Sequence, residues 1–131
     1  MIKMSYIKMF NQLVDEFLCE LMELFPENTK IKVQYSLFQT LVKSNARKVP
    51  NDFMINSIPY LEKICMKDCQ FFQGSDNFFL SRIGFDKIWP ELSDSSKNTI
   101  WNYLKGFFSI GSKIIEMPQE TIPLIDYIIN N

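Results

Sequence analysis

The chain has 131 residues, 47% of them apolar and 22% charged, with a net charge of -1. That length suits one domain with its own core, and twelve Phe, five Tyr and two Trp supply enough apolar area to exclude an intrinsically disordered chain. The near-zero charge excludes the basic field of a dedicated duplex-DNA binder, and no run approaches the ~18 consecutive apolar residues of a membrane span.

Residues 5–24 carry the clearest helical period. Phe10, Leu13, Val14, Phe17, Leu18, Leu21 and Phe25 recur three and four apart and fall on one stripe. Pro26 closes this helix, since the residue before a proline is biased away from α conformation. A second helix is predicted over 28–45, with Asn28 or Thr29 as N-cap. Its buried face is expected to hold Ile31, Tyr35, Phe38, Leu41 and Val42, with Lys43 and Arg47 suiting the negative C-terminal pole. A third helix starts around Pro50, and Pro59 is expected to split it near Ser57 before it resumes to about Met66.

Residues 68–84 are read as a loop followed by a short helix. The alternative, a two-stranded hairpin turning at 74–77 between Phe71-Phe72 and Phe78-Phe79, would be marginal in isolation. Phe85 to Trp89 reads as a short helix closed by Pro90. The serines around Asp94 then cap a long helix over 95–116, with Ile100, Trp101, Leu104, Phe107, Phe108 and Ile114 on its stripe. Gly106 and Gly111 inside it cost about 1 kcal/mol each against Ala, which points to the close approach of another helix or a ligand, or to a bend. A last short helix is predicted over 121–129, with Thr121 as N-cap and Pro123 in its first turn. The expected fold class is all-α, a compact single-domain bundle of five to seven helices spanning 1–131.

The first ten residues lack the apolar run and cleavage site of a secretory signal, so an intracellular protein is expected. Cys19, Cys65 and Cys69 are then expected as reduced thiols, an odd count in a chain large enough to need no disulfide framework. The chain contains no histidine. That removes the commonest general base and metal ligand, together with every Ser-His and Cys-His nucleophile pair. Three cysteines also fall short of a four-thiolate zinc site. The stretch GFFSIGSK from Gly106 to Lys113 has P-loop glycine spacing, but Ser112 and Lys113 stand in reverse order and no strand precedes it. Glu16, Glu20 and Glu23 read as a solvated helix flank. Cys65 and Cys69, four apart, are expected to pack as small apolar groups. No cofactor, metal or catalytic residue is assigned, and the chain is read as a non-enzyme.

Two surfaces remain as candidates. Lys30, Lys32, Lys43, Arg47 and Lys48 form the best local basic patch for phosphate contacts, with base stacking added if Phe71, Phe72, Phe78 or Phe79 are exposed beside it. Trp89, Trp101, Tyr103, Phe107 and Phe108 crowd the C-terminal third. They are core or, alternatively, an interface face of the long helix, because aromatics are enriched at interface centres.

The run FNQLVDEFLCELMELFP at 10–26 and IWPELSDSSKNTIWNYL at 88–104 resemble small helical proteins of nucleocytoplasmic large DNA viruses. A single Ala beside abundant Ile, Asn, Lys and Phe suits an AT-rich coding genome, as in many large DNA viruses and some parasites and bacteria. The resemblance implies a viral product acting in infected cytoplasm or in the particle, and it brings no active site. The expected function is a non-enzymatic protein-interaction or structural protein whose partner is another protein or itself. The alternative is a nucleic-acid-binding accessory protein using the basic patch.

Overall fold

A computed structural model describes residues 2–73 and 81–131. Seven α-helices run through them: α1 (Ile2–Leu24), α2 (Thr29–Asn45), α3 (Lys48–Ser57), α4 (Leu61–Cys65), α5 (Phe85–Ile88), α6 (Asp94–Gly111) and α7 (Ile122–Asn130). Short 3-10 turns join several of them, and no strand occurs among the described residues. The turn expected at 74–77 and the aromatic pair Phe78-Phe79 lie outside the described residues.

Local chemistry accounts for most boundaries. Asn28 caps α2 by accepting from the Ile31 amide at 3.1 Å, and Ser93 caps α6 by accepting from the Ser96 amide at 3.1 Å. Pro59 sits in a 3-10 turn, Ile58–Tyr60, that divides α3 from α4. The buried Ser57 hydroxyl just before it donates to the Phe53 carbonyl at 2.7 Å, so no buried polar group is stranded at the break. Thr121 takes the N-cap position of α7, but its side chain makes no capping hydrogen bond. Its hydroxyl instead donates back to the Pro118 carbonyl at 2.6 Å.

The central pair is α1 against α6, with α3 closing over both. Phe107 is fully buried, and its ring lies 5.4 Å from Phe10, 5.7 Å from Phe17 and 5.3 Å from Phe53, mostly edge to face. Phe108 extends the cluster to Phe53 at 5.2 Å. Around it one continuous core draws side chains from every α-helix, from Ile7 to Ile128. α7 seals the far side by packing Ile125 and Ile128 toward α4 and α6.

The glycines of α6 do admit neighbouring helices. A Cβ on Gly106 would stand 2.7 Å from the end of the Leu13 side chain in α1, and one on Gly111 would run into Met54 of α3. α6 also ends at Gly111 rather than continuing to 116. The chain turns there through Ser112 and Lys113, which lets Ile114 and Met117 enter the core.

α4 ends in a Schellman motif, with the Asp68 amide bonded to the Lys63 carbonyl at 2.8 Å and the Lys67 amide to Ile64 at 3.0 Å. The motif requires a left-handed residue, and here it is Lys67, at φ 53°. Left-handed backbone costs an L-residue roughly 1–2 kcal/mol, and the Lys67 side chain is exposed. Lys67→Gly is therefore expected to stabilise the fold by about 1 kcal/mol, read from denaturant midpoints at constant m. The two α6 glycines should part company. Gly111→Ala meets fully buried Met54 and is expected to cost about 1–3 kcal/mol by overpacking. At Gly106, half-buried Leu13 can swing aside, so Gly106→Ala gains about 1 kcal/mol of helix propensity and ends near neutral. Equal losses at both sites in the same denaturation series would contradict this assignment.

Candidate functional site

The C-terminal aromatics resolve first. Trp101, Phe107 and Phe108 are buried, and Tyr103 and Trp89 are half-buried against Phe17 and Phe85. The α6 stripe therefore faces the core rather than a partner. The reason is geometric: α6 is central, covered by α1, α3 and α7, so its whole apolar face meets other helices of the same chain.

The five basic residues are all exposed but do not converge. Lys30 and Lys43 are thirteen residues apart on α2, roughly 140° around its axis and about 20 Å along it. Lys48 is engaged by Asp52 at 2.9 Å, an i,i+4 pair on α3, and the Lys30 stem lies close to Gly84. Lys32 and Lys43 share a flank of α2 yet stand about 16 Å apart along it. Phe71 is buried and cannot stack on a base. The patch read from the sequence divides between the first turn of α2, with Lys30 and Lys32, and the α2–α3 junction, with Lys43, Arg47 and Lys48.

Cys65 and Cys69 do not share a helix face either, because α4 stops at Cys65 and the chain reverses through Lys67. The Cys65 thiol donates to the Leu124 carbonyl at 3.5 Å. Burial, and then the charge of Glu62, raises its pKa, away from the thiolate a reactive cysteine needs. No group of His, Cys, Asp and Glu among the described residues is arranged to hold a metal ion. No helix among them is long and apolar enough to cross a membrane.

The surface that stands out is on α2. Ile31 is its only fully buried residue, while Tyr35, Phe38, Leu41 and Val42 are half-covered. Val33 and Leu37, one turn apart on the outer side, are 55% and 53% exposed. Two grooves flank the helix, separated by Phe38. One, about 490 Å³, runs between α2 and α3 over Leu37, Leu41, Val49 and Phe53. The other, about 630 Å³, lies between α1 and α2, floored by Ile7, Asn11, Phe38, Val42 and Ala46.

Two hydrogen bonds hold α1 and α2 at this second groove. Tyr35 donates to Asp15 at 2.6 Å, and the Asn11 amide donates to the Ala46 carbonyl at 3.0 Å. The Tyr35–Asp15 bond, with Cys19 and burial adding to it, pushes the Tyr35 pKa well above its ordinary value. Asn11 is only 6% exposed, yet its carbonyl oxygen has no donor among the described residues. An unpaired buried acceptor costs about 1–3 kcal/mol, so this atom marks a place where the fold alone leaves a polar group unsatisfied.

Comparison with protein-family models, with curated proteins and with solved structures gives no match for this chain.

Tyr103 gives the fold a pH signature. Burial, with the Glu20 and Glu16 carboxylates, pushes Tyr103 up to about 12 from an ordinary value of 10. The native state then holds a proton that the unfolded chain releases at lower pH. Stability is fully present below pH 10 and is expected to fall as pH rises from 10 toward 12. Denaturant midpoints across that window should drop for the wild type and drop less steeply for Tyr103→Phe. A flat wild-type profile would remove the assignment.

Proposed function

We propose that this chain is a non-enzymatic protein-interaction or structural protein whose contact surface is centred on α2. A virus-encoded role in the particle or infected cytoplasm is the setting carried over from the sequence resemblance. One observation supports the interaction reading above the others. Val33 and Leu37 stand more than half exposed on the outer side of α2, a groove runs along each flank, and Tyr35, Phe38, Leu41 and Val42 pack only half-covered against the core. Burying a side chain of that size on a partner is worth about 1.5–3 kcal/mol, and contiguous exposed apolar surface rimmed by polar groups marks interaction sites. Lys30, Gln34, Ser36 and Thr40 provide such a rim.

The test compares tagged wild-type protein with Val33→Asp/Leu37→Asp. Both residues are surface positions, so the thermal unfolding curves should agree to within about 0.5 kcal/mol. The proteins retained by the wild type in affinity purification from expressing cells, further copies of the chain included, should fall at least about tenfold with the variant, as lost burial of two such side chains requires. An identical set of retained proteins would defeat this reading.

A further inference from the structure

We propose that the groove between α1 and α2 takes α7 of a second copy of this chain, so that copies join head to tail. The proposal rests on the interaction reading above and gives one of its surfaces an occupant.

Length, shape and charge each support that occupant. The α1 wall runs from Met4 to Asp15, twelve residues or about 18 Å of helix, and α7 has nine residues, about 13 Å. α7 packs one side on α4 and α6, burying Ile125 and Ile128. Its other side is free: Ile122 is 42% exposed, Tyr127 is 51% exposed, and Pro123 and Asp126 are exposed between them. The groove offers Ile7, Phe38 and Val42 to such a face, with Met4, 65% exposed, as an adaptable edge. Lys8 and Lys43 are exposed on opposite walls, and neither pairs with a carboxylate among the described residues. The charges on and before the free side of α7 are Asp126 and Glu120, both exposed and likewise unpaired. Asp15, the one carboxylate in the groove, sits at its far end and is engaged by Tyr35.

Asn11, whose side-chain oxygen is buried without a donor among the described residues, lines the same groove. The Tyr127 hydroxyl has no hydrogen bond among the described residues, which makes it a free donor on the docking face. Because groove and α7 are different surfaces of one chain, each docking leaves one of each open. Such a heterologous contact propagates rather than stopping at a dimer.

Sedimentation of the wild type is expected to show mass rising continuously past two chains between about 10 µM and about 1 mM, the range suited to a contact below standard interface size. Lys8→Glu/Lys43→Glu spoils the groove and keeps α7. Ile122→Ala/Tyr127→Ala spoils α7 and keeps the groove. All four positions are exposed, and each variant should stay monomeric with an unchanged unfolding curve. Mixed together, they should form a one-to-one dimer and nothing larger, because one intact groove meets one intact α7. Three results would overturn the proposal: a wild type monomeric throughout, growth that stops at a dimer, or a mixture that stays as two monomers. A monomeric wild type whose retained proteins still depend on Val33 and Leu37 would sink this inference alone and leave the α2 reading standing.

Discussion

The packing of Phe107 sets the terms for the rest of the molecule. Its ring must lie against Phe10, Phe17 and Phe53 at once, so α1 and α3 are both drawn tightly onto α6. Close approach on that scale leaves no room for large side chains where the helices press together. Gly106 meets Leu13 and Gly111 meets Met54, so the helix propensity lost at two glycines is offset by aromatic contact and burial along α6. The same demand shortens α6, since turning after Gly111 is what carries Ile114 and Met117 inward.

The core centred on α1, α3 and α6 takes α2 at its margin, through Ile31 and the half-covered Tyr35, Phe38, Leu41 and Val42. This helix is held by Ile31, by the Tyr35–Asp15 bond and by the Asn11–Ala46 bond, and it lies over the assembly instead of within it. Half-covered Phe38, Leu41 and Val42 then form groove walls, and Val33 and Leu37 stay more than half exposed. The apolar surface on α2 is thus a consequence of how the aromatic cluster is satisfied elsewhere. Its persistence in exposed form is what a contact with another molecule would account for.

Helical periodicity made the fold legible and the site only partly so. The stripe Phe10, Val14, Phe17, Leu18 and Leu21 is buried as read, Pro59 breaks the chain where proline chemistry says it must, and Asn28 and the Ser93 region cap the following helices. Periodicity reports which residues share a face, but not what that face meets. The Trp101, Phe107 and Phe108 stripe suited an interface as well as a core until the central position of α6 decided it. For α2 the signal was present in another form. Val33 and Leu37 form a second short i,i+4 apolar row off the main stripe, the mark of a helix with two apolar sides. Charge was the least legible property, because thirteen residues of helix turn Lys30 away from Lys43 however close a linear reading makes them.

Asn11 links the two halves of this account. Its amide secures the Ala46 carbonyl at the α2–α3 junction and so helps fix the helix that carries the exposed surface, while its carbonyl oxygen stays buried without a partner. A leucine of similar size would remove the unsatisfied acceptor but would leave Ala46 without its donor and α2 less firmly placed. The asparagine therefore makes sense as a compromise between fold and surface. One end of the amide ties α1 to the end of α2, and the other end stays buried without a donor among the described residues.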